Sequence, residues 1–383
     1  MSVAGIDKDA VAVAHPPSVN VSARHANGDQ GYLALVWRRF RRSIMGMIGL
    51  VLVGMLLLMS VFANFLAPID PKATDLAFSR PTQVTFFDAQ GGFHLSPLYY
   101  PITESADLDP ITYQPVIGPD LAHPKQVAFF VKGYSYALFW IIPTDFHLFG
   151  GQEGAALHLL GTDKFGRDIL SRGLVGSRIT LTIALIVVAL TTLVGTLAGI
   201  TSGYLGGKVD HWVQQVVDLV LAFPELPLYM ALATLIPVTA PPNIFIAFVI
   251  AVLAAIGWAQ LSREVRGKTL ALARIEYVRA AVAVGSGDFR IITRHILPNV
   301  LSHVIVSVTL AIPNTVLMES FLGYLGFAVK PPLISWGLML QDARTFSVIG
   351  SYPWILSPVL FVLIAVFAFN ALGDGLRDAV DPY

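Results

Sequence analysis

The chain contains no cysteine, and only 13% of its 383 residues are charged. The missing cysteine excludes disulfides, thiolate metal sites and cysteine nucleophiles. Soluble domains carry about 25% charged residues. A chain that is 55% hydrophobic, with a mean hydropathy of +0.67, is therefore solvated mostly by lipid. The net charge is zero, which argues against a nucleic-acid partner.

Six stretches are long and apolar enough to span a hydrocarbon core of about 30 Å. Because backbone in lipid must satisfy its own hydrogen bonds, each stretch is predicted to be a helix. They cover residues 44–66, 179–203, 213–237, 243–261, 299–321 and 353–372. The predicted fold class is therefore an all-α integral membrane protein with six transmembrane helices.

Basic residues predict the orientation. The segment WRRFRR at 37–42 directly precedes the first span, so the positive-inside rule places the N-terminus in the cytosol. Alternation then places 67–177, with eleven acids and seven bases, outside and 262–298, with a net charge of +4, inside. The predicted organisation is a largely disordered cytosolic segment at 1–43, a helix at 44–66, an external subdomain at 67–177, a core at 178–372 and a cytosolic tail at 373–383.

The external segment contains aromatic clusters that a linker would not need, such as Phe86–Phe87 and Tyr99–Tyr100. We expect a small subdomain rich in strands and turns there. Packing as a lid on the external helix ends is the favoured role, and direct contact with a substrate is the alternative.

The cytosolic loop, 262–298, has helically spaced apolar residues interrupted by a Gly-Ser-Gly sequence. A short helix is predicted over 275–284, where alanines give high propensity, and a turn at Gly285 and Gly287. Ser286 or Asp288 is expected to cap a second helix over 289–295, and Pro298 to end it. Such a rigid pair of helices suits docking to a partner, although an ordinary basic loop would carry similar charge.

Several motifs in the same order resemble the C-type permease subunit of the dipeptide/oligopeptide/nickel family of ABC importers. They are EYVRAAVAVG at 276–285, LPN at 297–299, GTDKFGRDILSR at 161–172, GSR at 176–178, GYLGG at 203–207 and GDGLRDAVDP at 373–382. The resemblance runs from about Leu160 to the C-terminus. It implies a type I importer fold with an external insertion between helices 1 and 2, longer than usual and similar to the Yej-type subgroup.

The resemblance also implies that the cytosolic loop couples transport to ATPase subunits. The residues so assigned are Glu276, Arg279, Ala280, Ala281, Gly285, Asp288, Leu297 and Pro298. Arg279 stands where the family pattern has Glu, and His295 where it has Ile. Both changes keep the helix-Gly-helix pattern. They leave undetermined which residue of the partner forms a salt bridge with this loop.

The implied partners are a second, B-type permease, two cytosolic ATPases that bind ATP and Mg, an external solute-binding protein and the bilayer of a bacterial inner membrane. No cofactor is expected on this chain, and neither terminus is expected outside the cytosol. Peptides are the implied substrates, with nickel, opines and oligosaccharides as alternatives because relatives carry them. The segment from Ser262 to Thr269 lacks the first glycine and the preceding strand of a phosphate-binding loop. No catalytic constellation is recognisable, so the chain is predicted not to be an enzyme.

Polar residues inside spans point to a transport pathway. The third span contains Pro224, Glu225 and Pro227, and prolines there must break the helix. Glu225, together with Glu319 in the fifth span, is a candidate pathway residue, and a local salt bridge is the alternative. An external-face motif precedes the second span and suits an amphipathic segment that braces helix ends: Gly161, Asp163, Gly166, Arg167, Asp168 and Arg178.

Four external histidines, His94, His123, His147 and His158, have no metal-ligand spacing on one element. Two other functional classes stay open. A secondary carrier would use Glu225 or Glu319 as proton sites but leaves the cytosolic loop unexplained. A membrane anchor that displays the external subdomain would need no polar or proline-broken spans.

Overall fold

The computed structural model describes residues 32–88, 91–108, 115–139, 141–152, 155–237 and 239–380. Residues 1–31, most of the segment predicted to be disordered, lie outside these ranges. Within them the chain is mostly helical, with one strand-rich stretch between Val84 and Gly151.

Across the described residues, five helical stretches are long and apolar enough to cross a membrane, and a bent pair makes a sixth. The straight ones are α2 (Ile44–Val61), α4 (Ile169–Leu205), α7 (Pro242–Leu272), the run Asp288–Leu325 and the run Pro353–Val380. The bent pair is α5 (Gly207–Ala222) and α6 (Glu225–Ala233), which meet at 83°. The predicted helical membrane fold is thus confirmed, with its third span broken.

The remaining helices include α10 (Leu297–Leu325) and α13 (Pro358–Val380), the main parts of the two runs named above. The others are α1 (Tyr32–Phe40), α3 (Ala63–Leu66), α8 (Glu276–Ala283), α9 (Asp288–Ile291), a π-helical turn (Ile292–Ile296), α11 (Trp336–Leu340) and α12 (Phe346–Ser351). Two 3₁₀ turns, Gln341–Arg344 and Pro353–Leu356, lie beside α12.

The second span begins ten residues before the predicted start at 179. The Asp168 carboxylate accepts a hydrogen bond of 2.7 Å from the Ser171 amide and caps the first turn of α4. At 1.5 Å per residue the helix is about 55 Å long. Because that exceeds the bilayer core, α4 extends beyond it.

Helices α4 and α7 pack closely through glycines spaced four residues apart. A Cβ atom built on Gly195, Gly199 or Gly203 would lie within 2.6–2.8 Å of atoms of α7. Small residues at this spacing let membrane helices approach each other. Around this contact lie buried clusters that join α4 to α2, α10 and α13 on one side and to α7 on the other.

Pro298 does not end the second cytosolic helix, contrary to prediction. Asp288 to Leu325 forms one continuous helical run with Pro298 in the first turn of α10. The π-helical turn makes this possible, since the Leu297 amide bonds to the carbonyl of Ile292, five residues back. Because the helix already departs from the usual bonding to the residue four positions back, it tolerates a proline, which cannot form that bond.

The predicted strand-rich subdomain is present between the first and second spans. Its strands are β1 (Val84–Phe87), β2 (Phe93–Tyr99), β3 (Ile102–Leu108), β4 (Pro115–Pro119), β5 (Lys125–Leu138) and β6 (Ile142–Gly151). They pair antiparallel in a four-stranded sheet of order β1-β2-β5-β6 and a separate β3-β4 pair.

Buried His147 joins this sheet to the membrane helices. Its imidazole nitrogens lie 2.9 Å from the Asn64 carbonyl oxygen on α3 and 3.0 Å from that of Tyr134 on β5. The Tyr134 hydroxyl also donates to the Asn64 carbonyl. The subdomain therefore packs on the C-terminal end of the first span, and its role as a lid stays a prediction.

Candidate functional site

The bend in the third span follows from its two prolines. Phe223 precedes Pro224, which disfavours helical backbone, and both residues are extended. The helix restarts at Glu225, and Pro227 occupies the first turn of α6, where no helical N–H bond is lost. The break places an exposed carboxylate at the start of α6.

Glu225 lies in a cavity of about 800 Å³ between α4, α6, α7, α10, α11 and α13. This volume is within the range of sites for small molecules. Most of its walls are apolar, and the polar residues that line it are Thr191, Glu225, Tyr229, Gln260, Asn314, Thr315, Ser320 and Tyr324. Among the described residues, no lysine, arginine or histidine lines the cavity.

A polar cluster continues from the cavity along α7 and α10. The Gln260 amide donates to Glu264 over 3.1 Å, and the Ser307 hydroxyl donates to the same carboxylate over 3.3 Å. His303 Nε2 lies 3.5 Å from Glu264. Polar groups therefore extend beyond the cavity on facing helices.

No cation pairs with the Glu225 carboxylate among the described residues. In the described part of the chain it makes neither a hydrogen bond nor an ion pair, while Arg263 and Arg266 on α7 pair with Asp218 and Asp210. Acids within membrane-spanning segments are costly when they face lipid, and they therefore commonly face a cavity or a partner. The place of Glu225 in the first turn of α6 stabilises its negative charge by only about 0.3–1 kcal/mol through the helix dipole. The local salt bridge considered from the sequence is therefore absent from the described residues.

Glu319, the other candidate pathway residue, does not line the cavity. It is fully buried, and its Oε2 accepts a hydrogen bond of 3.1 Å from the Thr180 hydroxyl on α4. The same Thr180 oxygen accepts from the Trp336 amide of α11. Glu319 therefore links α4, α10 and α11 and lies apart from Glu225.

The external-face motif folds as a tight loop, so the amphipathic segment predicted there is wrong. Gly161 and Gly166 both have φ of +76°, a region that glycine adopts without strain. Asp163 accepts hydrogen bonds from the Arg167 guanidinium and from the amides of Phe165 and Arg167. A loop closed on itself in this way has no continuous helical face.

Two other residues of the motif, Asp168 and Arg178, contact helix ends. Asp168 caps α4, and Arg178 donates to the carbonyl oxygens of Ser60 and Val61 at the end of α2. These carbonyls belong to the last turn of α2, where intrahelical partners are missing. Arg178 therefore fixes α2 against α4.

Buried His158 connects the external segment to the same capped end. Its Nδ1 lies 3.0 Å from the Asp168 carboxylate, and its Nε2 lies 3.2 Å from that of Asp75. Burial lowers the pKa of His158, but the two carboxylates outweigh this effect and the net shift of the pKa is upward. The four external histidines do not converge, and among the described residues no three His, Asp or Glu side chains could hold a metal ion.

The cytosolic loop is anchored on the membrane helices through one face. Val278, Ile291 and Ile296 are buried against Ile200 of α4 and Val265 of α7. The predicted first helix is confirmed as α8, whereas the predicted side-chain cap of the second is wrong. Gly287 precedes that helix without a side-chain cap, and the Asp288 carboxylate instead accepts from the Tyr204 hydroxyl over 3.0 Å.

The other face of the cytosolic loop is exposed and partly apolar. Val284 and Phe289 are each 81% exposed, and Val282 is 53% exposed. Of the residues assigned to coupling, Glu276, Arg279, Ala280, Gly285, Asp288 and Pro298 are exposed, while Ala281 and Leu297 are half-buried. A rigidly anchored surface with large exposed apolar side chains is typical of an interaction site.

Two family models match the chain. "Binding-protein-dependent transport system inner membrane component" matches residues 195–383, and "N-terminal TM domain of oligopeptide transport permease C" matches 31–83. The oligopeptide transport permease OppC of Haemophilus influenzae is 40% identical over 59% of this chain and 70% of its own length. The chain belongs to the binding-protein-dependent transport permeases.

Other relatives of this permease agree. The OppC protein of Bacillus subtilis is 38% identical over 59% of the chain and 72% of its own length. The glutathione transport permease GsiD of Pectobacterium atrosepticum is 36% identical over 60% and 73%. Among solved structures, an inward-facing form of the MetNI methionine ABC transporter has 17% identity and a TM-score of 0.43, over 54% of this chain and 94% of that chain.

The two matched stretches of the permease leave residues 84–194 between them. All six strands lie in this interval, between Val84 and Gly151. The strand-rich subdomain is therefore an insertion between the first and second spans, as expected from the length of the external segment.

Sequence reasoning missed several residues of the permease's cavity. Gln260, Asn314 and Thr315 line it, although none was singled out. Their signal was available, because polar residues within apolar spans commonly face a cavity. The exposed Phe289 of the cytosolic loop was missed because periodicity alone does not say which apolar face a partner covers.

Proposed function

We propose that this chain is the C-type permease subunit of an ATP-driven importer of peptides. In this proposal a second permease completes the pathway, two cytosolic ATPases bind ATP and Mg, and an external binding protein delivers the substrate. This chain binds no cofactor, performs no chemistry and lies in a bacterial inner membrane with both termini in the cytosol. Its relatives' names, which include oligopeptide, dipeptide and glutathione permeases, favour peptides over nickel, opines or oligosaccharides.

The observation that carries the proposal is the cytosolic loop. Its inner face is packed on α4 and α7, while its outer face exposes Val284 and Phe289. A rigid element of this kind transmits movement of a docked subunit to the helices around the cavity. The coupling residues at this loop, from Glu276 to Pro298, would contact the ATPase.

Gly285 and Gly287 offer a matched test of this coupling. Gly285 has φ of +81°, whereas Gly287 has an ordinary φ of −69°, and a Cβ at either position would meet no neighbouring atom. A side chain at Gly285 is strained by about 1–2 kcal/mol through the backbone alone. We expect Gly285→Val to separate ATP hydrolysis from uptake in the purified complex in liposomes, and Gly287→Val to leave them coupled. Equal coupling in both variants contradicts the proposal.

The cavity is this chain's proposed share of the pathway, with Pro224 and Pro227 shaping its wall and Glu225 facing the substrate. Alternating access would open it first to one side of the membrane and then to the other. The alternative is a secondary carrier that uses Glu225 as a proton site. The observation in its favour is that the cavity contains this carboxylate without an ion-pair partner among the described residues. Uptake stopped by ATP depletion and resistant to an uncoupler supports the importer, and the reverse supports the carrier.

A further inference from the structure

The sign of the cavity's charge carries information about the substrate. Glu225 is the one residue with a formal charge among the described residues that line the cavity. Gln260, Asn314 and Thr315 add amide and hydroxyl groups, whose oxygens can accept further hydrogen bonds from a substrate and whose N–H and O–H groups can donate. A carboxylate in a cavity that lacks cationic side chains among its described lining residues favours a cation that donates several hydrogen bonds, and an ammonium group has three donors.

Nothing in the described chain neutralises this carboxylate. The arginines nearest to the cavity along α7 are held elsewhere: Arg263 Nη2 lies 2.5 Å from Asp218, and Arg266 forms a two-point pair with Asp210. Local structure also gives no reason for the charge, since the bend is produced by the prolines and no described side chain forms a hydrogen bond with Glu225. An acid in a broken membrane span that lines a cavity, with no partner among the described residues, points to a ligand.

We propose that Glu225 binds the ammonium group of a peptide during passage, so that the pathway favours substrates with a free amino group. This inference rests on the proposed function and adds a specificity-determining residue to it. The ammonium group can come from the peptide's N-terminus or from a lysine side chain, and the carboxylate interacts with either. A peptide without an ammonium group gains nothing from Glu225.

The test uses the whole complex with its binding protein in liposomes and compares three peptides. They are trialanine, N-acetyl-trialanine and N-acetyl-Ala-Lys-Ala, each at a concentration that saturates the binding protein. Because the binding protein is a separate chain, a substitution in the permease leaves delivery affinity unchanged. Differences in maximal uptake rate between peptides therefore report on the pathway.

We expect Glu225→Gln to slow uptake of trialanine and of the lysine peptide by about tenfold, the loss of one charge-assisted hydrogen bond. Uptake of N-acetyl-trialanine should be unchanged, and Glu225→Lys should reverse the preference. Glu104→Gln, which removes an acid from the external insertion, is the charge-matched control. If Glu225→Gln slows uptake of trialanine but not of the lysine peptide, Glu225 binds the N-terminal ammonium group alone.

An equal effect of Glu225→Gln on all three peptides overturns the inference while leaving peptide import intact. Failure of the unaltered complex to carry any peptide overturns the proposed function instead, and the two failures are thus distinguishable. If the Glu225→Lys complex fails to assemble, the near-isosteric Glu225→Gln variant still tests the inference, because its uptake of acetylated and free peptides can be compared.

Discussion

The contact between α4 and α7 makes a quantitative prediction at Gly199. A Cβ atom there would lie 2.6 Å from the Ser262 carbonyl oxygen and 2.7 Å from Val265 Cβ. Ordinary contacts begin at 3.4 Å, so Gly199→Ala must separate the helices by roughly 0.8 Å. The first obstacle is backbone and cannot rotate away. Overpacking of this kind costs about 1–3 kcal/mol.

Gly267 in α7 provides the control, because a Cβ there meets nothing within 4 Å. Both substitutions carry the same gain in helix propensity of up to about 1 kcal/mol, so their difference isolates the packing cost. We expect unfolding of the purified permease in detergent, followed by tryptophan fluorescence, to give Gly199→Ala a stability about 1–3 kcal/mol below that of Gly267→Ala. Equal stability would show that the two helices are not tightly packed.

Three further outcomes are expected. Since the folded-state pKa of His158 is raised, its contribution to stability is complete below the unfolded pKa of about 6.5 and is lost as pH rises through the folded value. Hydrogen exchange of the external loop should therefore quicken with pH beyond its intrinsic rate, and His158→Gln should abolish this excess. Thr180→Val and Glu319→Gln should be non-additive by about 0.5–3 kcal/mol in a double-mutant cycle of thermal unfolding. Asp210→Arg and Arg266→Asp should each lower the melting temperature, and the double exchange should partly restore it; no restoration would argue against their pairing.

The cytosolic loop was predictable in outline because its signals are local. Alanines at 280–281 favour a helix, and Gly285 permits the turn. The continuation through Pro298 was not predictable, since a π-helical turn depends on how Ile291 and Ile296 pack against the membrane helices. Local propensity predicted that the helix ends at Pro298. The packing of the neighbouring residues instead allows this proline to stay within the helix.

At the candidate site, too, some features were predictable from the sequence and others were not. Pro224 and Pro227 predicted a break in the third span, and the 83° bend confirms it. The sequence could not separate Glu225 from Glu319, because both are acids within apolar runs. Their different surroundings, an open cavity and a buried link to Thr180, follow from helix packing.

By itself, the order of residues determined that this protein lies in lipid, which segments cross it and where the chain must turn, because transfer of apolar side chains and proline geometry act over short distances. Only the tertiary structure decided which polar groups share a cavity and which are sealed between helices. That choice depends on how α4 packs against α7, α10 and α11, contacts between segments that are far apart in the chain.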